Sequence, residues 1–352
     1  MIKIGTNKGR DVYYDPSKAQ NGHMLLLGKS GTGKTTESES IMLNLVKEGA
    51  TVIAFDVHQT LAVDQIFKDL EKEFSENCEI HDVYADGICC PFFTQLQLAS
   101  GHTEKKIATV GALTATMERV FRLGVDQKAS LRRALEDVME TGAYQRDGLL
   151  AVDEALHRMG GKVEMHVREK LYMLTHSQIF MDGEFFIAQG KINIIRLSDF
   201  PEDTQIEVAE MILAYIWRLA LARALLCDSI YIFVDEVQNL SLSKNSIVAK
   251  LLSEGRKFGV NLIFATQSLR GGFSHAEADR IQQADLEFFF RPADDEMAKI
   301  AEMIDRSEAK KWLLELSRLE RAECIVKGSL VIGKIPIKEP VKLDCQIGNR
   351  LE

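Results

Sequence analysis

Apolar residues in this chain recur with two different periods. Strand-type runs at residues 24–27, 51–55, 192–197, 230–234, 261–265 and 286–290, apolar apart from Thr51, Asn193, Arg196, Asn261 and Glu287, have the length and side-chain types of strands buried on both faces. The first passes into a Gly-rich loop and then the stretch ESESIMLNLVKEG, where Gly49 marks a helix C-terminus. With the run at 51–55 following, the strand, helix and strand predict a parallel sheet covered on both faces. At the start of the chain Ile2 and Ile4 alternate with polar residues, residues 5–9 carry Gly and Asn turn signals, and Val12-Tyr13-Tyr14 resumes an extended pattern. A short hairpin is predicted there.

Between residues 103 and 175 the period becomes helical. Ile107, Val110, Leu113, Met117 and Val120 make one stripe, and Leu131, Leu135, Val138 and Met139 a second. Leu149, Val152, Leu156 and Met159 make a third, and Val163, Val167, Leu171 and Leu174 a fourth. These stripes predict a four-helix insertion. A further, strongly apolar helix is predicted over residues 206–226, before the strand at 230–234. The expected fold class is α/β, a mostly parallel sheet with helices on both faces, split in sequence by an all-α insertion. Residues 1–100 are expected to form the first part of the core with the hairpin and Gly-rich loop, 101–185 the insertion, and 186–352 the second part with the C-terminal strands.

Charge narrows the possible partners. The 352 residues hold 43 Lys and Arg against 52 Asp and Glu, a net charge of −9, which argues against wholesale coating of nucleic acid or of an anionic membrane. A local basic groove stays open. The six cysteines, Cys78, Cys89, Cys90, Cys227, Cys324 and Cys345, form no CxxC pair and no zinc spacing with histidine, and are expected to be reduced thiols in a cytoplasmic protein. The opening MIKIGTNKGR lacks the apolar region of a signal peptide, and Arg218 and Arg223 interrupt the most apolar stretch, residues 211–226. No direct membrane span is expected, and any membrane association would run through a partner.

Gly28-Lys29-Ser30-Gly31-Thr32-Gly33-Lys34-Thr35 fits GxxxxGK[ST] at every fixed position and lies between a predicted strand and a predicted helix. Gly31 and Gly33 let backbone N–H groups converge on phosphate oxygens, the helix beginning near Lys34 adds its positive end, and Lys34 reaches the β/γ-phosphates. The expected nucleotide-binding positions are Gly28, Ser30, Gly31, Thr32, Gly33, Lys34, Thr35 and Thr36, with Thr35 also offering a hydroxyl to Mg²⁺. Strand 230–234 ends in Asp235-Glu236, which fits a carboxylate for the metal followed by one that polarises water; a strand-end cap has the same pattern. An adjacent glutamate favours a hydrolase over a kinase or a GTPase. Strand 261–265 ends in Thr266-Gln267, whose amide is either a γ-phosphate sensor placed between the two motifs or a polar strand cap. Arg256 and Lys257 close the preceding helix, where they complement its dipole or supply an arginine finger to a neighbouring subunit.

The runs HMLLLGKSGTGKT, AFDVHQT, IIRLSDFPEDTQIEVAEMILAYIWRLAL, IFVDEVQNL and EGRKFGVNLIFATQS together resemble the HerA/FtsK superfamily of P-loop ATPases, and within it HerA and the ATPases of conjugation and type IV secretion. The resemblance covers residues 1–60 and 190–340; the helical insertion matches only in placement. It implies a RecA-like core assembled as a homo-oligomeric ring, usually a hexamer, with ATP and Mg²⁺ between subunits and a polymer in the channel. It also implies that Lys34 and Thr35 bind nucleotide, Asp235 serves Mg²⁺, Glu236 is the catalytic acid, Gln267 the sensor and Arg256 the arginine finger. His23 matches a histidine that often precedes the loop strand, and packing in the core accounts for it equally. Two features depart from the pattern. Thr60 stands where relatives often carry glutamate, and about 22 residues precede the loop strand, too few for an N-terminal barrel or membrane helices.

A translocating ring needs loops that hold phosphate. Arg270, beside Gly271 and Gly272, is one candidate, and an ordinary surface loop reads the same. Residues 119–133 carry Arg119, Arg122, Lys128, Arg132 and Arg133 against Asp126 alone, either a gripping surface or a solvated helix face. The leading expectation is an ATP-driven ring motor moving double-stranded DNA. The alternatives are the energy-supplying ATPase of a conjugation or secretion apparatus, and an ATP-dependent scaffold for a partner nuclease.

Overall fold

Alternating apolar residues build β1 (Ile2–Asn7), which reverses at Lys8 and Gly9 into the antiparallel β2 (Arg10–Tyr14). The turn is narrower than the expected 5–9, because Gly5 belongs to β1 and pairs with Val12. A computed structural model describes residues 1–62, 65–66, 68–223, 229–237, 240–269 and 273–345. After the hairpin come β3 (Met24–Leu27), α1 (Lys34–Lys47), β4 (Thr51–Asp56), α2 (Glu71–Asn77) and β5 (Cys78–Asp82). The helical stretch follows, with α3 (Val83–Asp86), β6 (Ile88–Cys89), α4 (Lys106–Val120), α5 (Val125–Thr141), α6 (Tyr144–Asp147), α7 (Leu150–Met159), α8 (Lys162–His176) and β7 (Phe180–Met181). Then come β8 (Ile192–Arg196), α9 (Glu202–Ala222), β9 (Ile230–Val234), α10 (Ile247–Glu254), a 3₁₀ turn at Gly255–Phe258, β10 (Val260–Thr266), α11 (His275–Ile281) and β11 (Leu286–Phe290). The chain closes with α12 (Met297–Ile304), α13 (Ala309–Ser317), β12 (Glu323–Lys327), β13 (Leu330–Ile332), β14 (Ile335–Ile337) and β15 (Val341–Asp344).

Two compact units result. The first is Met1–Glu79, Ala188–Ile194 and Cys227–Glu352; the second is Ile80–Ile187 and Ile195–Leu226. Among the described residues one sheet has 13 strands, in the order β14-β13-β2-β1-β15-β12-β11-β3-β10-β9-β4-β8-β5. Its centre, β11-β3-β10-β9-β4, is parallel, whereas β12, β15, β1, β2, β13 and β14 join antiparallel. The central strands are apolar along most of their length because both faces are covered. Phe288 and Phe290 of β11 enter the cluster that holds Ile41, Met42 and Leu45 of α1, while Phe289 between them packs with Ile300 of α12 and Trp312 of α13. Each such side chain contributes about 1.5–3 kcal/mol by burial.

In the second unit the predicted stripes of α5 and α8 are buried at Leu131, Leu135, Val138, Met139, Val167, Leu171 and Leu174. Two expected core positions are exposed, and Val120 and Val163 are only half-buried. Ile107 is 72% exposed, because the inward face of α4 runs through Val110, Leu113 and Met117 and takes in Thr109 and Thr114 instead. Met159 ends α7, whose inward face is completed by the small residues Ala151 and Ala155. The unit starts at Ile80 and includes α9 as well as the helices of 101–185, because α4 and α8 pack on α9. Helix α9 begins at Glu202, four residues before the expected 206, since Pro201 caps it and Glu202 and Asp203 suit its positive end. Among the described residues no helix is long and apolar enough to cross a membrane.

Candidate active site

The Gly-rich loop is a turn pinned at three strand ends. The N–H of Gly28 donates to the carbonyl of Thr266 (3.3 Å), that of Lys29 to Arg291 (3.0 Å), and that of Ala322 to Thr32 (2.9 Å). Gly28 lies so close to β11 that a Cβ there would stand 2.5 Å from Cβ of Phe290. Gly33 caps α1 with φ 111°, a left-handed conformation that disfavours side chains, and faces the backbone of Ala322. Lys34, the first residue of α1, is buried, and its Nζ donates to the carbonyls of Gly28 (2.6 Å) and Lys29 (3.0 Å). Burial lowers its pKa; Asp235 and Glu236 act in the opposite direction. Ser30 and Gly31 are exposed, and Thr32, Thr35 and Thr36 are half-buried, with Oγ1 of Thr32 donating to the Lys29 carbonyl (2.7 Å).

Strand β10 lies between β3 and β9, so the chain positions that follow each strand meet at one edge of the sheet. Beyond β9, Oδ1 of Asp235 accepts from the N–H of Glu236 (3.0 Å). Glu236 has φ 50°, a conformation costing a non-glycine residue roughly 1–3 kcal/mol. In that conformation its Oε1 accepts from Nε2 of Gln267, which follows β10, at 2.5 Å. The Asp235 carboxyl is pushed above its ordinary range by burial and by Glu236, with Lys34 and His58 opposing. Lys34, Asp235, Glu236 and Gln267 are thus electrostatically or directly linked in one cluster.

His58 is the member of this cluster that sequence reasoning missed. Phe55 of β4 stands opposite Val234 of β9, which brings the residues just beyond both strands level with each other. The adjacency of β4 and β9 would have pointed to it. Thr60, at the position where glutamate was expected, donates its N–H to Oδ1 of the buried Asp56 (3.0 Å).

Arg256 is not part of the cluster. It lies in the turn before β10, whereas Gln267 follows that strand, and seven strand residues intervene, a span of roughly 20 Å. Its Nη1 donates to the carbonyl of Gln20. Arg270 lies outside the described residues. In the basic window Lys128 pairs with Glu118 (2.6 Å), Arg132 with Glu136 (3.8 Å) and Arg133 with Glu164 (3.8 Å). All three of those acids lie outside residues 119–133, so the charge balance of that window leaves them out.

The family model described as "Helicase HerA, central domain" matches residues 2–216. A protein described as a probable helicase, from Methanocaldococcus jannaschii, is 21% identical over 95% of this chain and 66% of its own length. The chain thus spans slightly less than two thirds of that relative. Among solved structures, VirB4 of Thermoanaerobacter pseudethanolicus superimposes with a TM-score of 0.73 at 16% identity, covering 99% of this chain and 97% of that one. The plasmid coupling protein TrwB in complex with ADP and Mg²⁺ superimposes at 0.63 with 14% identity, covering 99% and 92%. At these identities the likeness to both structures is one of fold. With more than half of its length matched by the family model, the chain belongs to the HerA central-domain family of P-loop ATPases.

Proposed function

We propose that the chain is an ATP-hydrolysing motor that works as a ring of identical subunits, six by analogy with its resemblance, and moves double-stranded DNA. One observation carries this reading. Lys34, Asp235, Glu236 and Gln267 gather at one edge of the sheet while Arg256 stands at the far end of β10, so a complete site takes Arg256 from a second copy.

The donor set fits a magnesium nucleotide. The Lys34 ammonium, now on two loop carbonyls, stands ready for phosphate oxygens, and the half-buried Asp235 carboxyl, whose pKa is raised, would be stabilised as a carboxylate by a cation beside it. Thr35 and Asp235 would hold Mg²⁺, which supplies charge neutralisation on the phosphate oxygens. Glu236 takes the proton of the attacking water as its oxygen bonds to the terminal phosphorus and the bridging P–O bond breaks, giving ADP and phosphate. Gln267 orients the Glu236 carboxylate. The protein works in the cytoplasm and meets a membrane only through a partner.

A second reading, the energy-supplying ATPase of a conjugation or secretion apparatus, is favoured by the fold likeness to VirB4 and TrwB and by the ion pairs that occupy Lys128, Arg132 and Arg133. Steady-state ATP hydrolysis at modest salt, with and without long linear duplex DNA and with Lys34→Ala as blank, separates the two. A DNA motor shows severalfold stimulation that fades as salt rises. Turnover indifferent to DNA gives the protein-moving reading.

The Asp235 carboxyl leads to another expectation. A group whose folded pKa is raised favours the folded state below its unfolded pKa, and that advantage is lost as pH rises through the folded value. At neutral pH the ionised Asp235 therefore works against the nucleotide-free fold. Asp235→Asn should raise the Tm of the nucleotide-free protein by about 1–2 °C while lowering turnover roughly 100-fold, the Tm gain shrinking as pH falls. A lowered Tm at neutral pH would contradict this account.

A further inference from the structure

His23 is fully buried immediately before β3, at the opposite end of that strand from the phosphate loop. Both ring nitrogens are engaged. Nδ1 accepts from the N–H of Leu262 in β10 (3.0 Å), so Nε2 carries the proton and donates to the carbonyl of Leu252 in the last turn of α10 (3.0 Å). Burial lowers the imidazole pKa to about 4, which keeps the ring neutral and in this tautomer at physiological pH. Between Leu252 and Leu262 the chain makes one excursion, the end of α10 and the turn Gly255–Phe258. The imidazole closes the base of that excursion, and Arg256 is near its tip.

The tip is held by the same segment. Arg256 donates to the carbonyl of Gln20, three residues before His23. That carbonyl is fixed in turn. The N–H of Gln20 donates to Oδ1 of Asp285 (2.9 Å), the Asn21 side chain donates to the Gln283 carbonyl (2.7 Å), and Oδ1 of Asn21 accepts from the N–H of His23 (3.0 Å). A ring that only filled volume would need neither of the two hydrogen bonds that His23 makes.

We infer that His23 is a positioning residue for Arg256: its imidazole braces α10 against β10, and segment 20–23 sets the guanidinium where a second copy's site can receive it. The inference rests on the proposal that Arg256 acts in trans. It separates His23 from the subunit's own nucleotide site, since four strand residues, roughly 13 Å, lie between His23 and Gly28.

His23→Ala and His23→Asn, the latter keeping a polar group near the Nδ1 position, test it by steady-state hydrolysis, alone and mixed with Glu236→Gln subunits. Each variant alone should lose roughly 10- to 100-fold in kcat, with KM for ATP within about twofold of the parent. Mixing with Glu236→Gln subunits, which contribute an undisturbed Arg256, should restore turnover, as it should for Arg256→Ala. Full activity of both variants alone would overturn the inference. So would absence of rescue when Arg256→Ala is rescued, or failure of both variants to fold, since His23 would then serve its own site or the core. If Arg256→Ala itself is not rescued, trans action falls and this inference falls with it.

Discussion

Replacing Lys34 by alanine is expected to lower ATP turnover by roughly 1,000-fold while leaving Tm within a few degrees of the parent. Two consequences of one lost charge combine. In the proposed site the ammonium is the cation that the loop presents to phosphate oxygens, so nucleotide affinity should fall with it. It is also a positive charge acting on Asp235, whose carboxyl burial and Glu236 already push toward the neutral form. Without Lys34 that push is stronger, and the acid proposed to serve the metal is harder to ionise. Lys34→Arg should rescue little, because the Nζ of a compact ammonium is what bonds to the carbonyls of Gly28 and Lys29 at 2.6 and 3.0 Å, and a planar guanidinium on a different stem does not reproduce that point charge. Hydrolysis rate and binding of a fluorescent nucleotide check both parts. Retention of more than a tenth of the turnover by Lys34→Ala would remove Lys34 from the proposed mechanism.

What was legible in the chain was local. The runs at 230–234 and 286–290 match β9 and β11, since five apolar residues in the first and four around Glu287 in the second, ended by Asp235 and Arg291, leave little choice of boundary. The loop was legible because its fixed positions are contiguous, and its context of strand and helix is present at β3 and α1. Strand neighbours are a different kind of information. His58 matters to Asp235 only because β4 lies beside β9, and the partners of His23 are 229 and 239 residues away. Helix phase also fails at helix ends: Ile107 fits the stripe by spacing, yet it sits in the first turn of α4, beyond the reach of the inward face. The ion pairs of Lys128 and Arg133 join residues 10 and 31 apart, so net charge along a window overstated how much positive charge that surface offers.

The position of Arg256 yields the second large effect. Arg256→Ala subunits should lose roughly 1,000-fold in turnover, the size expected when a guanidinium that offsets transition-state charge is removed. A loss alone would not locate the site it serves. Glu236→Gln subunits lack the group proposed to take the water's proton but keep Arg256, whereas Arg256→Ala subunits have the reverse defect. In a ring with one repeated head-to-tail interface, each site combines Glu236 of one subunit with Arg256 of the next. In a 1:1 mixture about half of the subunits retain Glu236, and about half of their neighbours retain Arg256. If sites act independently, turnover should recover to about one quarter of the parent value. Coupling between sites would lower that figure without abolishing it. A mixture no more active than either variant would place Arg256 in the service of its own subunit, which the roughly 20 Å of β10 between it and Gln267 opposes. Recovery that disappears when subunits are diluted below their association range would tie the activity to the interface itself, because only assembled rings bring the two residues together.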